Sequence, residues 1–64
     1  MKFIGSGIFK HIYEDPNRIP KFEERVVITE AASESVAEKQ ILAEFNEYAQ
    51  DGIEFVDEFN ISEI

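Results

Sequence analysis

The amino-acid sequence predicts an α+β domain of β-β-α-β order, with a three-stranded sheet in the order 2-1-3 and one helix packed on one face. Three observations lead there. Two stretches of period-two alternation, residues 2–13 and 22–31, flank a segment that contains both prolines. An acidic, alanine-containing stretch with helical periodicity follows the second of them. A third alternating stretch covers residues 53–64.

The first strand, KFIGSGIFKHIY, sets Ile4, Ile8 and Ile12 on one side and Phe3, Phe9 and His11 on the other. Gly5 and Gly7 weaken it and point to a bulge or to a close approach by another backbone, such as a symmetry mate. Glu14–Lys21 reads as a loop, because Asp15-Pro16-Asn17 and Pro20 break any ladder. In the second strand Phe22, Val26 and Ile28 share a face with Glu24 and Glu30, opposite Arg25, Val27 and Thr29.

Ser33 is placed to cap the helix that follows, with Glu34 beside the positive end of the dipole; Ser35 to Glu38 also matches a capping box, which would start the helix two residues later. Ala37, Ile41, Leu42, Phe45, Tyr48 and Ala49 form its apolar face, and Asp51-Gly52 is expected to close it. In the third strand Ile53, Phe55, Phe59 and Ile61 share a face, with Asp57 among them. A helix joining two strands of one sheet favours parallel strands and a right-handed crossover. That places the first strand in the centre, antiparallel to both neighbours.

Sixty-four residues make one small domain, residues 1–64, near the lower size limit for a self-sufficient core. With no cysteine, neither a disulfide nor a thiolate metal site can reinforce it. Packing or self-association must serve, and 44% hydrophobic residues with six phenylalanines suit the first. No apolar run approaches the roughly 20 residues needed to cross a bilayer. The stretch MKFIGSGIFKHIYE is interrupted by glycine and charge too early for a signal peptide. The expectation is a cytoplasmic protein with no membrane partner.

Charge is unevenly placed along the chain. Residues 1–25 carry five bases and four acids, whereas residues 26–64 carry ten acids against Lys39 alone, within a total of −8. Phosphate contacts need clustered lysine and arginine, so direct binding of nucleic acid is not expected. A basic protein is the partner that such a surface suits.

The run EERVVITEAASESVAEKQ resembles the middle of a small, mostly bacterial family catalogued as domain of unknown function 4288. There a strand of the form E-E-R followed by two hydrophobic residues leads into E-A-x-S, an acidic alanine-rich helix and an aromatic-rich last strand. Glu23, Glu24, Arg25, Val26, Val27, Ile28, Glu30, Ala31, Ser33 and Ala37 carry the match, over about residues 22–63; the first strand matches poorly. The resemblance implies a small α+β unit and no particular activity.

Candidate chemistry is sparse. His11, Glu14 and Asp15 offer metal-ligand types, but a strand end scatters them and no second His or Cys completes a set. Gly5-Ser6-Gly7 has neither the strand-to-helix elbow of a nucleophilic serine nor a following helix to hold phosphate. Glu23-Glu24-Arg25 reads as the charged guard of an edge strand. Asp57, among apolar neighbours, needs a cation such as Arg25 or Lys10, exposure, or a raised pKa.

The expectation is therefore a non-enzymatic, protein-binding domain without cofactor or metal. Since every strand is apolar on both sides, the face away from the helix is expected to mediate homodimerisation, through Phe3, Phe9, Val27 and Val56. Glu44, Glu47 and Asp51 mark the acidic helix side as a second contact surface. The alternative is an acidic inhibitor of phage or anti-defence type, mimicking nucleic acid against a basic enzyme or toxin. An enzyme built on His11 and Glu14 is the least favoured reading.

Overall fold

The computed structural model describes residues 1–56 and 58–64. Its elements are β1 (Lys2–His11), β2 (Lys21–Glu30), helix α1 (Glu34–Tyr48), β3 (Ile53–Phe55) and β4 (Asn60–Glu63). β1 is central: it pairs antiparallel with β2 along its whole length and with β3 and β4 on its other side. The α+β class and the 2-1-3 arrangement are as the pattern predicts, but the sheet has four strands rather than three.

The extra strand arises because the last alternating stretch is interrupted. Phe55 lies opposite Phe9 and Ile61 opposite Gly5, so six residues on the outer strand span four on β1. The chain between these two pairings is thus two residues longer than the stretch of β1 that it faces. An even number of extra residues preserves parity. Ile53, Phe55 and Ile61 therefore all pack towards the helix, joined there by Phe59.

At the other end of β1, residues 12–20 form the hairpin connection. Asp15 organises it: its carboxylate accepts from Asn17 N–H at 2.9 Å and its carbonyl from Arg18 N–H at 3.0 Å. The Arg18 guanidinium lies 4.0 Å from the centre of the Tyr13 ring. The long hairpin gives the molecule extents of 46 × 17 × 14 Å.

Ser33 is the N-cap of α1, accepting from Val36 N–H, which decides between the two candidate caps. The helix closes earlier than predicted, with Ala49 as its C-cap and Ala49 N–H bonded to the Phe45 carbonyl. Gly52 lies beyond it, in a turn that Ile53 N–H closes onto Gln50 O, and its φ of +80° is the one such a turn reserves for glycine.

The core lies between α1 and the odd-numbered side of the sheet. Phe3, Phe9, Ala37, Ile41 and Phe45 are fully buried. The rings of Phe45 and Tyr48 meet Phe9 edge-on at 5.2 and 5.1 Å, and Phe55 packs on both Phe9 and Phe45. Gly5 and Gly7 sit beneath the helix. A Cβ on Gly5 would come within 2.7 Å of the Ile41 side chain, and one on Gly7 within 2.8–2.9 Å of the Phe55 and Phe45 rings. The close approach that the glycines announce is therefore made by this chain's own core, not by another copy.

This reverses one assignment. Phe3, Phe9 and Val27 face the helix, not the uncovered side. The isoleucine side of β1 is the open one, because helix side chains can approach only where the strand lacks bulk. Val56 falls on the open face, opposite Ile8, to whose carbonyl its N–H donates.

Candidate functional site

Two surfaces stand out, and both are consequences of strand parity. The first is the open face, formed by the even-numbered residues of all strands. Phe22, Val26 and Ile28 are 66%, 54% and 62% exposed there. Ile4, Ile8 and Val56 are half-buried among them, and exposed Ile12 and Ile64 continue the ladder by bonding to Gly52 O and Lys2 O.

At the middle of this face, where Ser6 lies between Val26 and Asn60, a shallow depression of about 430 Å³ opens, bordered by Ile4, Glu24 and Ser62. Ser6 thus serves as a small floor residue. Charged strand residues on this face are Lys2, Lys10, Glu24, Glu30 and Glu54, two bases against three acids. Lys2 lies opposite Glu30, and Lys10 opposite Glu54, so both ends of the face are locally compensated. The chain's negative charge resides almost wholly elsewhere.

The second surface lies where the end of α1 crosses β2. Glu23 Oε1 accepts from His11 Nε2 at 2.7 Å and from the Tyr48 hydroxyl at 2.7 Å, while Glu23 Oε2 stands 3.5 Å from Arg25 Nη1. The Arg25 guanidinium lies 3.7 Å from the centre of the Tyr48 ring. The hydrogen bonds from His11 and then Tyr48 hold the Glu23 carboxyl below its usual range, and the bond to Glu23 raises the Tyr48 phenol. Farther along, Thr29 Oγ1 and Gln40 Oε1 are 2.6 Å apart.

This network redistributes several candidate residues. Glu23 and Arg25 tie the helix to the sheet instead of merely guarding an edge. His11 turns to Glu23, and Glu14 and Asp15 stay in the hairpin loop. No three His, Cys, Asp or Glu residues converge among the described residues. Asp57 lies outside the described residues.

Glu44 and Glu47 are exposed on the helix side that borders β2, and Asp51 is exposed in the turn after the helix. The polar tie itself escapes the sequence, since Tyr48 and Glu23 are 25 residues apart. Its sequence signal was parity: once the hairpin register is set, His11, Glu23 and Arg25 all point to the helix side.

No helix among the described residues is long and apolar enough to cross a membrane. Comparisons of the chain with protein-family models, with curated proteins and with solved structures find no match.

Proposed function

We propose that this chain is a non-enzymatic protein-binding domain that self-associates through the open face of its sheet and works without a cofactor. The observation that supports this most is that Phe22, Val26, Ile28, Ile12 and Ile64, all exposed, lie along one side of the sheet. An antiparallel sheet face of this apolarity is ordinarily packed against a second layer.

A second copy fits as that layer on two counts. Ten residues at about 3.3 Å by three strands at about 4.8 Å give a face of roughly 450 Å² in flat projection. Two such faces bury about 900 Å², the size of a weak, reversible interface. Charge is the second count: copies of a chain at −8 repel, but the open face carries little of that charge, so face-to-face stacking holds the acidic helices apart on the outside.

Sedimentation equilibrium at low and high salt tests the proposal. A dimer little affected by salt is expected, because apolar burial is not screened as charge contacts are. The neutral double variant Val26→Gln/Ile28→Gln should weaken the dimer at least tenfold while the helix signal in circular dichroism stays intact. A monomer at all concentrations would refute it. The phosphate-mimic alternative has less support, because Glu44 and Glu47 border a groove shared with Arg25 and do not form an isolated acidic ridge.

A further inference from the structure

Helix α1 leaves part of β2 uncovered on the side that it shields. The two polar ties, Thr29 to Gln40 and Glu23 to Tyr48, hold the helix to the strand at separate points. A groove of about 390 Å³ lies alongside, with Val27 and Phe45 among its walls and Glu44 and Glu47 on its helix rim. Arg25 also lines it, but its guanidinium is turned onto the Tyr48 ring and towards Glu23. Neither Glu44 nor Glu47 has an ion-pair partner among the described residues.

The outer margin of this groove is an unpaired strand edge. Ala31 N–H donates to Met1 O, so in the antiparallel ladder the odd-numbered residues of β2 bond to β1. Phe22, Glu24, Val26, Ile28 and Glu30 therefore point their N–H and C=O groups away from the sheet. This edge runs uninterrupted for ten residues without proline, glycine or bulge, whereas the opposite edge is broken between β3 and β4. Of the usual devices that blunt an edge, β2 has its charges, and Glu23 and Arg25 are already engaged beneath the helix.

We propose that the β2 edge takes up an extended, basic segment of a partner protein as an additional strand. On this edge Arg25, Val27 and Thr29 are the non-hydrogen-bonded positions, where facing residues come closest. Side chains of the added strand opposite them enter the groove. An apolar one packs on Val27 and Phe45, and a lysine or arginine two residues along meets Glu44 and Glu47. The sheet edge supplies affinity through main-chain bonds, and the groove selects an alternating apolar and basic pattern. The site uses the side of β2 opposite the open face, so it does not rest on self-association.

The probe is a synthetic peptide of about eight residues in which threonine alternates with valine and lysine. It is titrated into the isotope-labelled full chain and into the Val26→Gln/Ile28→Gln variant. Expected is saturable binding by both proteins, with amide signals of Val27 and Phe45 shifting and the amides of Val26 and Ile28 becoming slow to exchange. Glu44→Gln/Glu47→Gln, which changes only exposed side chains, should weaken binding at least tenfold and flatten its salt dependence. Methylating the peptide nitrogens that face β2 should abolish it. Absence of binding at millimolar peptide, binding unaffected by N-methylation or by Glu44→Gln/Glu47→Gln, or shifts confined to the open face would each overturn the proposal. None of these outcomes bears on whether the chain dimerises.

Discussion

The two sides of β1 differ in a way that sequence hydrophobicity does not report. The even side, with Ile4 and Ile8, is the more strand-like in residue type, yet it is the side left open. The odd side reads Phe3, Gly5, Gly7, Phe9 and is the buried one, since large, small, small, large is the complement of a helix presenting Ile41 and Phe45. The isoleucine side carries branched side chains at Ile4 and Ile8, and the small Ser6 between them floors only a shallow depression. Shape decides which apolar side becomes the core, and two glycines carry more information about it than three isoleucines.

This contrast breaks most visibly by truncation on either side. Phe9→Ala removes a fully buried ring that touches three other aromatic side chains, and should cost about 4 kcal/mol. A chain of this length has on the order of 3–10 kcal/mol in all, so the variant should be largely unfolded at 37 °C by circular dichroism. Val26→Ala on the open face should change monomer stability by less than about 0.5 kcal/mol. Equal losses at the two positions would mean that the faces are not distinct.

Adding bulk sharpens the same comparison. Gly7→Val drives a branched side chain into the Phe45 and Phe55 rings and should cost about 3 kcal/mol in urea unfolding. Ser6→Val, one residue away but on the open side, should be tolerated within about 0.5 kcal/mol. It would also fill the depression beside Val26 and Asn60, so its effect should fall on self-association instead of folding. A tolerated Gly7→Val would show that the helix can lift from β1.

Much of this is legible in the residues, and what is not has definite physical causes. The prolines and Asp15 locate the hairpin connection, Ser33 is one of the two caps the residues offer, and the crossover rule puts β1 in the middle. The division of the last strand was hidden because two extra residues leave its alternation in phase; a one-residue bulge would have shown as a switch of faces. Hydrophobicity alone inverts the helix side, because Phe3 and Phe9 count as apolar bulk and the socket that Gly5 and Gly7 open between them does not. In the sequence Glu44 and Glu47 mark only an acidic side of the helix, and the packing of α1 against β2 turns that side into the wall of a groove.

The smallest expected effect concerns the end where helix and edge strand are tied by polar groups instead of apolar ones. Glu23 has a lowered pKa in the folded chain, so its contribution is fully present above its ordinary value of 4.5 and is lost as pH falls through the folded value. Tyr48 has a raised one, so its contribution is full below the ordinary 10.0 and is lost as pH rises through the folded value. The tie between them is therefore strongest across the neutral range and weakens at both extremes. Tyr48→Phe keeps the ring beneath Arg25 and against Phe9 but removes the hydroxyl, and should lower the thermal midpoint at pH 7 by roughly a few degrees at most. The deficit should shrink above pH 10 as the native phenol ionises. The acid side should remain partly protected, since His11 still donates to Glu23 and is the larger cause of its lowered pKa. A deficit constant from pH 7 to 11 would mean that the variant acts through packing, and that the phenol-to-carboxylate bond contributes nothing to holding α1 against β2.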